Sequence, residues 1–384
     1  MRIQNKFSEK TDNIADKQQE KELVNNDDLV LTERFKSEKS SEEFFIKDDF
    51  SIEITNQTEI LTVYSIEEVD QLEEDYQDAT KDQKIRVNNL VKKIREDTPD
   101  KRLATIPKNW RSDCDTLICD FPNFSEVILF IRNQLALSAI SNQVLRIPPF
   151  LLAGDAGIGK TEFMLTLANL FNTKLSVIDI ANSQTGSALT GSENFWSNTK
   201  PGGVFNTLVF GDIANPIIML DEIDKARIDS SYQPLSALHS LLEPRQACEF
   251  QDLSVPEMKV NASQVIWIAT ANKLELIEKS IIDRFTIFHI ETPSLNQMKN
   301  IVKNQYQKFI ENHPAGSYFE SAISVEVASE LCLYHPRCVR KMLEMAFGLA
   351  ANEQRNHLIL QDISDSKITH KEDKGLGIGF MSTV

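Results

Sequence analysis

The segment that most narrows the folds open to this chain is Gly154-Asp155-Ala156-Gly157-Ile158-Gly159-Lys160-Thr161, which fits G-x-x-x-x-G-K-[ST] at each defined position. It follows the apolar run PPFLLA and opens the helix-forming stretch KTEFMLTLANLF. Strand, glycine loop and helix in that order make a cradle for phosphate. The glycines let the backbone turn so that successive N–H groups point inward, and the helix start adds partial positive charge. Lys160 is then suited to the β and γ phosphates of a nucleotide, and the Thr161 hydroxyl to Mg²⁺.

Around this cradle, apolar runs bounded by Gly, Pro and Asn alternate with helical periodicity: RIPPFLLAG, KLSVIDI, PIIMLDE, VIWIATAN and RFTIFHIE. The alternation predicts βα units and a mostly parallel sheet with helices on both faces. The run Asn215 to Glu222 ends in two acids, and a carboxylate at the C-terminal end of a parallel strand lies where such sheets bind ligands. Asp221 is the expected Mg²⁺-shell residue, and Glu222 is expected to polarise an attacking water. Without the phosphate loop, the same string reads as a strand end followed by a helix cap. The run from Val265 ends at Asn272, which suits orientation of the lytic water or contact with the γ-phosphate; alone, it reads as a turn residue. Arg284, Arg337 and Arg340 follow, with the rigid fork that phosphate recognition favours.

The first quarter differs in kind. Residues 1–100 hold 15 Lys/Arg and 26 Asp/Glu, no glycine and one proline, Pro99. Residues 1 to about 55 are expected to be disordered, because scattered apolar residues cannot offset the ordering entropy. Ile66 to Ile94 reads as a helix with acids early and bases late, either a solvated tether or a partner-binding helix. The predicted domains are an acidic extension over 1–102, an α/β domain over 103–292, a helical domain over 293–370 and a tail over 371–384.

The net charge of −16 argues against broad attraction to nucleic acid or anionic lipid. Five cysteines without paired motifs, and a start without an apolar signal core, predict a cytoplasmic protein. No apolar run reaches the roughly 18 residues that a membrane span needs. Cys332-x₂-His335-x₂-Cys338 and Cys114-x₄-Cys119 lack four ligands at structural zinc spacing.

Together, GDAGIGKT, IIMLDEID, IATAN, IIDRF and the helical PRCVR resemble an AAA+ ATPase, with Walker A and Walker B elements between Phe150 and about Ala350. LDEIDKA, LLEPRQACEFQD and Pro201-Gly202 look like the ATPase module of Lon proteases. The resemblance implies ATP and Mg²⁺ as cofactors and Arg284 as an arginine finger acting on a neighbour's nucleotide. It also implies a homo-oligomeric ring, usually of six, and Arg340 as the sensor-2 arginine, with Arg337 as the alternative. About 34 residues follow Ala350, so a motor without its own peptidase domain is expected, working on a protein substrate or with a separate effector. In the Lon-like pattern Trp196, beside Phe195, occupies the aromatic position that grips a translocating polypeptide. Burial under the loop and stacking on single-stranded nucleic acid remain open for this pair. The function expected is ATP hydrolysis coupled to remodelling or unfolding of a protein; the alternatives are a DNA-directed motor or loader and a nucleotide-gated scaffold.

Overall fold

The computed structural model describes residues 59–77, 79–141, 144–181, 187–192, 199–226 and 235–367. The expected disorder over 1 to about 55, the Phe195–Trp196 pair and the tail over 371–384 lie outside these residues. Nine short strands occur among the described residues: β1 (Ile60–Thr62), β2 (Asp100–Arg102), β3 (Phe150–Ala153), β4 (Leu175–Asp179), β5 (Ile217–Asp221), β6 (Phe250–Asp252), β7 (Val255–Val260), β8 (Ile266–Ala271) and β9 (Thr286–His289). Five of them form one sheet in the order β4-β5-β8-β3-β9, with each neighbouring pair parallel.

Position in the sheet matches sequence character. Central β3 and β8 are buried along their whole length, as the unbroken runs FLLA and IWIATA require. Edge strand β4 buries Ile178 and leaves Val177 half exposed. The order puts β8 between β5 and β3, so the strand ends carrying Asp221, Asn272 and the glycine loop are side by side. Helices flank the sheet. Helix Lys160–Leu170 follows the glycine loop and buries Phe163, Met164, Leu167 and Ala168.

The N-terminal helical stretch differs from the single helix expected of it, a solvated tether or a partner-binding helix. It forms two helices, Ile66–Asp75 and Lys81–Arg95, the first capped at Tyr76 and the second at Thr80. Their sparse apolar residues Val69, Leu72, Val87, Val91 and Ile94 enter the same core cluster as Met258, Val260 and Trp267. The backbone is tied in as well: Asn261 N–H donates to the Val63 carbonyl at 2.7 Å, and Lys259 N–H to Glu68 Oε2 at 2.9 Å. β1 and β2 pair antiparallel at the base of this unit. Within it the buried Lys101 ammonium meets Asp97 at 2.6 Å, the pairing that a buried charge demands. One fully buried amide closes the join to the sheet. Asn215 accepts from Ala104 N–H at 2.7 Å and donates to the carbonyls of Ala104 and Leu145, both at 3.1 Å.

Among the described residues beyond Pro293 the α-helices are Leu295–Asn312, Val325–Leu331, Pro336–Asn352 and Leu360–Ser366. A capping box opens the first of them: Ser294 Oγ accepts from Gln297 N–H, and Gln297 Oε1 accepts from Ser294 N–H at 2.8 Å. These helices enclose a core of their own, centred on Phe309 stacked on Phe347 at 3.8 Å between ring centroids. Arg355 reaches Asp362 through two hydrogen bonds, at 2.6 and 2.9 Å, and Asp362 also accepts from Ile359 N–H. Among the described residues no helix is long and apolar enough to cross a membrane.

Candidate active site

The glycine loop leaves β3 and turns under geometric constraint. Gly157 and Gly159 have φ of +86° and +104°, a region that side-chain-bearing residues rarely adopt. A Cβ on Gly154 would stand 2.4 Å from the Ile290 carbonyl oxygen, so only glycine lets the loop start against the end of β9. Ile158 is buried and pins the loop between its two left-handed glycines.

Lys160 is at the start of the following helix and points back across the loop. Its ammonium donates to the Gly154 carbonyl, to Asn272 Oδ1 at 3.2 Å and to the Ala271 carbonyl at 3.5 Å. Burial lowers its pKa, and the nearby carboxylates Asp221, Asp224, Glu222 and Asp155 oppose that shift. A cation held partly out of water among acids is one that an anionic ligand stabilises.

The ends of β5 and β8 supply the acids and the amide. Ladder pairing between these strands stops at Leu220 and Ala269, and side chains take over from there. Thr270 Oγ1 donates to Asp221 Oδ1 at 2.5 Å and accepts from Glu222 N–H at 2.9 Å. Glu222 itself has φ of +54°, a costly conformation for a residue with a long side chain. Its carboxylate meets Lys225 at 2.6 Å. In the reverse direction, Asp224 accepts from Asn272 N–H through Oδ1 and from Lys273 N–H through Oδ2, both at 3.2 Å.

A cavity of about 1080 Å³ opens over these strand ends. Ala156 to Thr161, Asp221, Glu222 and Asn272 line one wall, and Gln305, Arg337 and Arg340 on the C-terminal helices line the facing wall. Arg340 Nη1 meets Glu162 Oε2 at 3.1 Å and its Nε lies 3.5 Å from Glu344, with all three side chains largely exposed. Arg284 is not among the lining residues. Its Nη1 donates to the Ser280 carbonyl, and its buried Nε lies 3.5 Å from Glu243 Oε1 without a hydrogen bond.

The structure therefore brings together the loop, both strand-end acids, Asn272 and the two arginines of the C-terminal helices, and leaves Arg284 outside this chain's own cavity. Two residues of the same network lie inside the quoted motifs IATAN and LDEIDKA but receive no role from them. Thr270 is a polar position inside an all-buried strand, and Asp224 is a carboxylate three residues past Asp221 that is itself buried. Both are signals, but neither names its partner.

The family described as "ATPase family associated with various cellular activities (AAA)" matches residues 150–292. Lon protease of Mycoplasmopsis agalactiae is 29% identical over 192 residues, covering 50% of this chain and 19% of the relative. Lon protease of Lachnoclostridium phytofermentans is 31% identical over 157 residues, covering 41% and 19%. Peroxisomal Lon protease homolog 2 of Oryza sativa subsp. indica is 30% identical over 176 residues, covering 45% and 20%. The chain thus spans about a fifth of the length of these relatives. The solved Thermotoga maritima RuvB Holliday junction branch migration motor covers 66% of this chain and 72% of its own, at 16% identity and a TM-score of 0.43. Residues 150–292 thus match the AAA family of ATPases, and the domain they form is similar to the ATPase module of Lon proteases.

Proposed function

We propose that the protein hydrolyses Mg²⁺-ATP at this cavity and couples turnover to remodelling or unfolding of a protein. The observation that carries the reading is convergence: Lys160, the Asp221–Glu222 pair and Asn272 reach one cavity wall from the ends of three adjacent strands. Phosphoryl transfer needs mainly positioning and charge stabilisation, and these groups supply both. Lys160 and the loop N–H groups hold the β and γ phosphates. Glu222 polarises the attacking water, Asn272 orients it, and Arg340 approaches from the helical side, with Arg337 beside it. The hard oxygen donors Thr161 and Asp221 both line the cavity, which is the donor class that Mg²⁺ accepts. Bound there, the ion would neutralise charge on the phosphate oxygens.

Arg284 lies away from this chain's own cavity, which supports its reading as a finger offered to a neighbouring subunit. Members of the family typically form rings, and a homo-oligomeric ring, hexameric by family resemblance, follows from that role. The ATPase domain ends near residue 292, and the helical domain acts as the lid to about 370. The loop bearing Phe195 and Trp196 is the proposed grip on the client polypeptide.

The ATPase rate of the full chain, measured with an unfolded protein, with DNA and with neither, tests the coupling. Stimulation by the unfolded protein is expected. Stimulation by DNA with steep salt dependence would establish a DNA motor instead, and nucleotide-driven assembly with little turnover would establish a scaffold. Glu222→Gln should keep nucleotide binding and stop turnover; full hydrolysis by that variant would remove Glu222 from its role.

A further inference from the structure

Neighbouring parallel strands are normally held in register by their ladder, yet the two strands that carry the hydrolytic groups lose theirs one residue too early. The last β5–β8 ladder pair is Leu220–Ala269, so Asp221, Glu222 and Asn272 all lie past it. Two side chains of opposite origin span the gap. Thr270, on β8, reaches across to the Asp221 carboxylate and the Glu222 N–H. Asp224, just after β5, reaches back to the N–H groups of Asn272 and Lys273. Each strand end is thus fixed by a residue of the other.

From this reciprocal arrangement we infer that Thr270 and Asp224 are positioning residues for hydrolysis: a cross-clamp that sets Glu222 and Asn272 relative to one another without touching the nucleotide. Neither lines the cavity, and both are buried, Thr270 at 1% and Asp224 at 7% exposure. The clamp also explains how Glu222 keeps its left-handed backbone. The N–H of a residue at φ of +54° is held by the Thr270 hydroxyl, which is in turn fixed by donating to Asp221. Strain of this kind persists only where the surroundings over-determine it. On the other strand, Asp224 turns two consecutive N–H groups toward one carboxylate, which fixes the backbone that aims Asn272. Asp224 adds negative charge beside Lys160, so its removal does not weaken attraction for an anionic nucleotide.

This inference rests on the ATP-hydrolysis reading, and the test separates the two. In the full-length protein, Asp224→Asn, Thr270→Val and Thr270→Ser are compared with the unaltered chain. The readouts are titration with an N-methylanthraniloyl-ATP probe, steady-state ATPase kinetics and thermal unfolding. Asn accepts from one of the two N–H groups and confronts the other with its own NH₂, so Asp224→Asn should lower kcat by about 100-fold, the cost of a small misplacement of reacting groups. Probe affinity should be unchanged or tighter. Thr270→Val keeps the shape and removes the hydroxyl, and is expected to lower kcat by a similar factor, while Thr270→Ser recovers most of it. Wild-type kcat in both Asp224→Asn and Thr270→Val would overturn the inference. Equal loss of probe binding and turnover would overturn it too, because that is the result of a merely structural role. If Asp224→Asn does not fold, the Thr270→Val and Thr270→Ser pair decides alone. An unaltered chain that binds probe without turnover would refute the hydrolysis reading and this inference with it.

Discussion

The two walls of the cavity are built to different standards. On the sheet side, Thr270 and Asp224 are buried and hydrogen-bonded across strands, and Lys160 is threaded between backbone carbonyls and Asn272. On the helical side, Arg340 is held by Glu162 and Glu344 with 61% of its side chain exposed. Exposed pairs of this kind contribute about 0–1 kcal/mol and weaken with salt. The helical unit has an apolar core of its own, and its other ties to the rest of the chain include side-chain contacts to Asp120, from Asn304 at 3.0 Å and Lys308 at 3.1 Å. A fixed chemical wall facing a loosely latched one is the arrangement expected where a site must open and close on each cycle.

That contrast is open to attack in order of size. Lys160→Ala removes the central cation of the fixed wall and should abolish nucleotide binding, read by probe titration; retained binding would mean that the fixed wall does not hold the phosphates. Arg284→Ala should leave binding intact and lower turnover by about 1000-fold, the usual worth of a finger arginine. Mixing it with Lys160→Ala subunits should restore part of the activity, and no recovery would place Arg284 in some other role. Arg340→Ala, on the loose wall, should raise KM or lower kcat by about 10-fold, as expected for a charged hydrogen bond to phosphate. Arg337→Ala should do less, and a reversal of that order would exchange their roles. Asp362→Ala removes a buried carboxylate that accepts twice from the half-buried Arg355 and once from Ile359 N–H, and should destabilise the helical unit by about 2 kcal/mol. Thermal unfolding would show it, with the smallest effect on kcat of the series.

Legibility in the sequence follows how each feature is encoded. The phosphate loop is contiguous and its glycines are demanded by backbone angles, so Gly154 to Thr161 read directly. Strands β5 and β8 read as continuous apolar runs, because burial on both faces leaves no alternation to interpret. The N-terminal helices did not read as core, since five buried residues are spread among many charges and resemble a solvated face. The β6–β7 hairpin is short, with a register shift at Gln251–Asp252 that interrupts its alternation. The Asp224–Asn272 and Thr270–Asp221 contacts join residues nearly fifty positions apart. A motif names residue types along one segment, and these depend on which strand lies beside which.

The burial of Val69, Leu72, Val87, Val91 and Ile94 has a practical consequence for anyone cutting this chain to isolate its α/β domain. A start at residue 103, where the acidity ends, would strip the apolar floor from beneath the β6–β7 hairpin and leave Met258 and Val260 facing water. Such a fragment should aggregate. One beginning near residue 59 carries its own foundations and should behave as a soluble piece.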